Sequence, residues 1–253
     1  MAEITLLEGE RLDKVNEDIS LIQKKDGLTF GTDAYMLASY IRPRPSSVGV
    51  ELGAGTGIIS LLCAARGKFG KIYAVEIQED FAKLAKRNVE YNSLSEKIEV
   101  ICANVTDISP AMTGGEVDTV FANPPYMRTD SGKRNESDYK YIARHEVFGG
   151  IEDFCKSAYR MLKHGGKFYC VWRPDRLADL IAAMRSNRLE PKLMTFIHGD
   201  SRSEPSMVLV SSIKGGASGM RVTPPLFIYK DGEGRVMSDE AQKIYDTMSM
   251  DIL

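Results

Sequence analysis

The stretch SVGVELGAGTGIISLLCAA, residues 47–65, decides how the rest of the chain is read. Its first six residues, SVGVEL, hold two β-branched valines and a leucine, which predicts a buried strand. The last nine are apolar and helix-forming, which predicts a helix packed against that strand. Between them, Gly53, Gly55 and Gly57 supply a turn tight enough to join the two and bare enough for a ligand to approach the backbone. The helix start behind the turn presents free N–H groups. The spacing G-x-G-x-G departs from the dinucleotide fingerprint G-x-G-x-x-G. The strand also ends on an acid, Glu51, which is awkward beside a pyrophosphate and suited to a ligand carrying ammonium or sulfonium charge.

Outward from this unit, strand and helix signals alternate. KIYAVEI (71–77), IEVICA (98–103), VDTVFA (117–122) and KFYCVW (167–172) read as strands. Phe81, Leu84, Ala85 and Val89 fall at helical spacing. So do Ile151, Phe154, Cys155, Ala158 and Leu162, a stripe expected to stop at Gly165-Gly166. Pro174 opens a further helix. KLMTFI (192–197) and SMVLVSS (206–212) are separated by a polar loop and read as an antiparallel hairpin. The expected fold is α/β: a Rossmann-like, seven-stranded, mostly parallel sheet with helices on both faces. Residues 1–46 form an N-terminal extension, with a strand-like ISLIQ, a KKDG turn and a helix starting near Thr32. Residues 47–213 form the main domain. Residues 214–253 form a C-terminal extension packed on it, with a strand, a turn and a terminal helix.

Composition narrows the class. The chain has 253 residues, a formal net charge of −2, and no apolar run long enough to span a membrane. The first 30 residues are charged and mixed rather than signal-like, so a cytoplasmic protein is expected. Cys63, Cys102, Cys155 and Cys170 are widely spaced, so neither a metal site nor disulfides are expected, and the thiols should be reduced and mostly buried. Charge is uneven. Residues 160–202 hold nine Lys and Arg against four acids, whereas residues 1–30 hold seven acids against four bases. That asymmetry points to a polyanion on one side of the molecule.

The strand ends carry the chemistry. In an open α/β sheet, ligands bind at the carboxyl edge of the strands. Glu76 ends the second strand of the main domain, where a carboxylate can accept from both hydroxyls of a ribose. Asn104 follows the third strand and offers an amide to a base edge, or serves as a turn residue. The fourth strand ends on Asn123-Pro124-Pro125-Tyr126. A residue before proline is pushed into extended backbone, so Asn123 and Pro124 are stiff and their carbonyls are aimed. The Asn123 side-chain oxygen and the Pro124 carbonyl make two acceptors for a planar –NH2, and Tyr126 offers a face for stacking on the ring that bears it. Two acceptors gripping those hydrogens favour a localised lone pair. They also stabilise the positive charge that develops on nitrogen as it attacks an electrophilic methyl. No strong general base is required before attack.

ELGAGTG, the acid of AVEIQED, and NPPY together resemble class I S-adenosyl-L-methionine-dependent methyltransferases of the amine-methylating branch. GLTFGTDAYMLASYI, IARHE and PPLFIYKDGEGR resemble segments of the bacterial valine-tRNA adenine-N6 methyltransferases. The resemblance implies methylation of the adenine beside the anticodon, position 37, in a valine tRNA, with the anticodon loop as partner and residues 47–213 as the catalytic domain. Carried over by position, Glu51, Gly53, Ala54, Gly55 and Gly57 hold the methionine part of the donor. Glu76 with Ile77 binds its ribose, Asn104 and Val105 flank its adenine, and Thr32 bonds its carboxylate at a helix start. Asn123, Pro124, Pro125 and Tyr126 hold the target amine. At position 104 the family more often has Asp, so the negative charge is lost there. The polar segment 127–144, with five bases against three acids, reads as a lid over a flipped base.

Five rivals share parts of this pattern. Glutamine methylation of a release factor uses the same quartet, but usually with a longer helical domain before the glycine loop. Guanine-N2 methylation of rRNA usually comes with a duplicated domain or a varied quartet. DNA adenine methylation calls for a target-recognition domain that is not evident. A non-catalytic RNA-binding module would need neither the quartet nor the glycine loop, and a nicotinamide oxidoreductase is disfavoured by Glu51 and the glycine spacing.

Overall fold

The computed structural model describes residues 5–25, 30–125, 149–232 and 234–250. In chain order, β1 (Glu10–Lys14) and β2 (Ser20–Lys24) form a separate antiparallel hairpin. Helix α1 (Thr32–Tyr40) follows, then β3 (Val48–Leu52), α2 (Ile58–Ala65), β4 (Lys71–Glu76), α3 (Glu79–Tyr91), β5 (Ile98–Cys102) and β6 (Val117–Ala122). After the segment beyond Pro125 come α4 (Ile151–Met161), β7 (Leu162–Trp172), α5 (Leu177–Ser186), β8 (Leu189–His198) and β9 (Pro205–Lys214). Two short strands, β10 (Arg221–Val222) and β11 (Leu226–Phe227), precede α6 (Asp239–Thr247).

Among the described residues, nine strands form one sheet in the order β10-β8-β9-β7-β6-β3-β4-β5, with β11 also on β8. The expected seven are β3 to β9, and the last pair is the expected antiparallel hairpin. β9 is antiparallel to β7 as well, so it is inserted between β7 and β8. The C-terminal extension adds β10 and β11 to the edge, a contribution that two-residue strands do not announce in sequence.

Strand periodicity assigns the two faces. Val50 and Leu52 point to the side covered by α4 and α5, among Val120, Phe168 and Trp172. The other face, with Ile72, Phe121 and Tyr169, is covered by α1, α2 and α6. Each fully buried large side chain contributes about 2 kcal/mol through area removed from water. Glu51, between Val50 and Leu52, is thereby turned toward α2 and buried.

Two local features differ from the sequence reading. Gly165-Gly166 does not stop a helix in open loop. Helix α4 ends at Met161, and β7 already starts at Leu162. The glycines form a bulge: the pairing with β6 jumps from Val117↔Leu162 to Thr119↔Lys167. A Cβ on Gly166 would lie 2.9 Å from the Lys163 carbonyl oxygen. The N-terminal extension holds two strands rather than one. Its hairpin is fastened to α3 by side chains, with the Asn88 amide bonding both the N–H and the C=O of Ile22, at 2.7 and 3.1 Å. The thiols are mostly buried, as expected: Cys63, Cys155 and Cys170 are buried, Cys102 is exposed, and all four are free.

Two contacts hold α1. Lys68 is buried and donates from Nζ to the carbonyls of Ala38 (2.6 Å) and Ile41 (2.7 Å), closing the helix end with a cation. On its outer side α6 packs across it, with the rings of Tyr35 and Tyr245 stacked 4.3 Å apart. No helix among the described residues is long and apolar enough to cross a membrane.

Candidate active site

The glycine turn is built by positive φ. Gly53, Gly55 and Gly57 sit at +72°, +55° and +81°, backbone that L side chains rarely adopt. Its donors are largely spent within the protein. The N–H groups of Gly53 and Ala54 both reach the Val75 carbonyl at 2.9 Å, and Gly57 N–H reaches the Ala54 carbonyl. Gly55 N–H donates to Glu76 Oε2 at 2.8 Å. The loop is thus lashed to the end of β4, and its backbone presents shape more than hydrogen bonds.

Glu51 does what its strand position dictates. One carboxylate oxygen, Oε2, accepts from the Ser60 N–H at 2.9 Å and from the Ser60 hydroxyl, in the first turn of α2. Burial pushes its carboxyl up to about 8, partly offset by the two Ser60 bonds. Glu76 is also buried and also raised by burial. Its bonds from Gln78 N–H (2.9 Å) and Gly55 N–H pull the other way. Each carboxylate oxygen has two lone pairs, so Glu76 keeps acceptor capacity beyond these bonds.

A cavity of about 910 Å³ runs along the carboxyl edge of the sheet. That is at the upper end of small-molecule sites. It brings together Thr32, Glu51, Gly53, Ala54, Gly55, Glu76, Ile77, Asn104, Val105, Asn123, Pro124 and Pro125, so the strand ends singled out by sequence converge on one space. Gly57 lies one residue behind, at the start of α2. Asn104 is a turn residue in this state: its Oδ1 accepts from Thr106 N–H at 3.0 Å, and its carbonyl from Asp107 N–H. Val105 is buried and its carbonyl accepts from Ser157 and Arg160. Thr32 opens α1. Tyr126 and the segment 127–144 lie outside the described residues.

Sequence reasoning missed one partner. The amide nitrogen of Asn123 donates to Asp33 Oδ2 at 2.9 Å, although 90 residues separate them. Its only signal was an acid in the first turn of α1, in FGTDAY. A further wall of the cavity, formed by Val171 to Asp175 and by Glu204 to Met207, was also missed.

The basic stretch 160–202 is less open than its count suggests. Lys163 pairs with Asp118, Arg173 with Asp175, Arg176 with Asp179 and Arg185 with Glu190. Arg160 is folded onto the carbonyls of Val105 and Thr106.

The model of the methyltransferase small domain matches residues 25–185, well over half of the chain. The chain belongs to the methyltransferase small domain family. Among curated relatives, a protein of Phocaeicola vulgatus named tRNA1(Val) (adenine(37)-N6)-methyltransferase is 32% identical, across 72% of this chain and 75% of that one. A protein of the same name from Dyadobacter fermentans is 29% identical, across 79% and 82%. Among solved structures, one titled a predicted O-methyltransferase from Agrobacterium tumefaciens superposes with a TM-score of 0.68 at 25% identity, covering 86% of this chain and 97% of that one. A geranyl diphosphate C-methyltransferase from Streptomyces coelicolor, solved with S-adenosyl-L-homocysteine, shares the fold at 15% identity and a TM-score of 0.52, across 72% and 80%.

S-adenosyl-L-methionine is the methyl donor of this small-domain methyltransferase. The donor set suits it. Glu51 and Glu76 are buried acids facing one cavity; burial raises both carboxyls and the charge of Glu76 raises Glu51 further, so a ligand carrying sulfonium and ammonium charge favours their ionised forms.

Proposed function

We propose that the chain methylates the N6 amine of an adenine in tRNA, at position 37 beside the anticodon of a valine tRNA. The observation that carries this reading is the placement of Asn123-Pro124-Pro125 at the end of β6, on the cavity that also holds Glu76 and the glycine turn. Support for the RNA target comes from the names of the relatives from Phocaeicola vulgatus and Dyadobacter fermentans.

Bound in this cavity, S-adenosyl-L-methionine supplies an electrophilic methyl on a cationic sulfur. Glu76 with Ile77 takes the ribose, Asn104 and Val105 flank the donor's adenine, and Glu51 with the turn from Gly53 to Gly57 faces the methionine part. Thr32 stands at the start of α1, where N–H groups face a carboxylate. Asn123 Oδ1 and the Pro124 carbonyl accept from the target amine and steady its growing positive charge, and Tyr126 stacks on the base. Pro125 stiffens the pair. An adenine in an anticodon loop is partly unstacked, so extruding it costs only a few kcal/mol. Segments 1–46 and 214–253 act as extensions packed on the catalytic unit 47–213.

The test is transfer from a methyl-deuterated donor offered separately to tRNA, rRNA, DNA and a release factor, with nucleoside and peptide mass spectrometry. Labelled N6-methyladenosine at the tRNA position beside the anticodon is expected. Label on glutamine or on guanine N2 overturns the assignment.

A further inference from the structure

We propose that Asp33 is a positioning residue for the reaction: it selects which atom of the Asn123 amide faces the target amine. The inference rests on the reading of Asn123 as the amine-binding residue.

An asparagine side chain presents an oxygen acceptor and a nitrogen donor of nearly equal size, and only the oxygen is useful to an amine with two hydrogens to give. Pro124 stiffens the backbone of Asn123 but does not decide the rotation of its amide. Asp33 does. Its Oδ2 lies 2.9 Å from Asn123 Nδ2. A carboxylate only accepts, so the nitrogen must point toward α1 and the oxygen is left for the substrate side. The reversed amide would set two acceptors against each other.

The carboxylate is itself fixed. Asp33 Oδ1 accepts from the Ala34 N–H at 2.9 Å. Gly31 leaves the room this needs, since a Cβ there would lie 2.7 Å from Asp33 Oδ1. Helix α1 is held behind it by Lys68 at its far end and by Tyr245, which stacks on Tyr35 and accepts the Tyr35 hydroxyl at its backbone carbonyl. The negative charge also polarises the amide, drawing its N–H toward Asp33 and leaving more electron density on Oδ1. That sharpens the acceptor as positive charge builds on the amine. Asp33 takes no proton and touches no substrate in this scheme.

Three variants read it. Asp33→Ala is expected to lower kcat about 10²-fold, with the KM for tRNA and the Kd for S-adenosyl-L-homocysteine within about twofold of wild type. Asp33→Asn keeps an acceptor of the same shape without the charge and is expected to fall between the two. In an Asn123→Ala background, adding Asp33→Ala is expected to cost nothing more. An independent readout is the side-chain 15N resonance of Asn123, expected to be shifted and slow to exchange in wild type and solvent-like in Asp33→Ala. An Asp33→Ala enzyme with wild-type kcat, or one whose loss repeats in full in the Asn123→Ala background, overturns the proposal. If wild type methylates tRNA adenine but the resonance is unmoved by Asp33→Ala, the positioning role falls and the function stands. If wild type methylates a different amine, the same variants read the coupling on that amine.

Discussion

Glu51 and Ser60 are joined twice: one carboxylate oxygen of the β3 acid accepts both the backbone N–H and the hydroxyl of a residue in the first turn of α2. The acid that closes the strand therefore also caps the helix after the glycine turn, and it does so while buried, with its carboxyl raised to about 8.

The sign of the resulting pH dependence follows. The folded state holds the Glu51 proton more tightly than the unfolded state does. Stability from this group is complete below the ordinary carboxyl range near 4.5 and is lost as pH rises toward about 8. Glu51→Gln, which keeps an acceptor for Ser60, is expected to gain on wild type in melting temperature as pH is raised through that window. A gap between the two proteins that stays constant with pH argues against the assignment. Because a cationic donor favours the ionised acid, donor binding below about pH 8 should release a proton from wild type but not from Glu51→Gln. Calorimetry in buffers of different ionisation enthalpy reads that directly.

Glu76 fastens the glycine turn to the end of β4, since Gly55 N–H and Gln78 N–H both end on it. Glu76→Ala is expected to weaken binding of S-adenosyl-L-homocysteine by about 10²-fold, from the loss of roughly 3 kcal/mol of charge-assisted bonds. Glu76→Gln keeps one acceptor and should lose less. Equal losses in the two variants, measured by calorimetry, count against a ribose-binding role.

Gly53 combines φ +72° with a neighbour: an added Cβ would sit 3.3 Å from the Phe154 ring. Gly53→Ala is expected to cost about 1–2 kcal/mol in stability from the left-handed backbone alone. It should also raise the donor Kd, because the turn must shift away from α4. Chemical denaturation and donor titration check the two effects separately.

Lys68 closes α1 with a buried cation and no carboxylate among its hydrogen-bond partners. Lys68→Met retains most of the packing and strands the carbonyls of Ala38 and Ile41, at about 1–3 kcal/mol for each buried group left unpaired. A melting temperature several degrees below wild type is expected, with kcat reduced in parallel with α1 order. A Lys68→Met protein as stable as wild type shows that water reaches those carbonyls.

The parts of this fold that were legible in the sequence are the local ones. Strand, glycine turn and helix follow one another within 47–65, and the strand ends at Glu76 and Asn123 were marked by adjacent residues. The convergence of those ends on one cavity followed from a single rule about parallel sheets. What was hidden is long-range or dual-purpose. ERLDK carries no strand signal of its own, because it is mostly charged and, among the described residues, β1 pairs only with β2 and buries little apolar surface. Gly165-Gly166 serves a bulge as readily as a helix stop, and only the pairing with β6 decides between them. Glu51 was read as an acid for the ligand, while its bond to Ser60 depends on which face of β3 it occupies. The Asp33–Asn123 contact depends on the first turn of α1 lying beside the end of β6, which no spacing within either segment announces.

The insertion of β9 between β7 and β8 also bears on synthesis. Strands β3 to β7 can pair as they emerge from the ribosome, but β8 has no neighbour in the sheet until residues 205–214 exist. The wall of the cavity from Glu204 to Met207 emerges with β9, and the helix that braces α1 comes later still in the chain. A nascent chain therefore completes its glycine turn early and closes its cavity only once β9 has emerged.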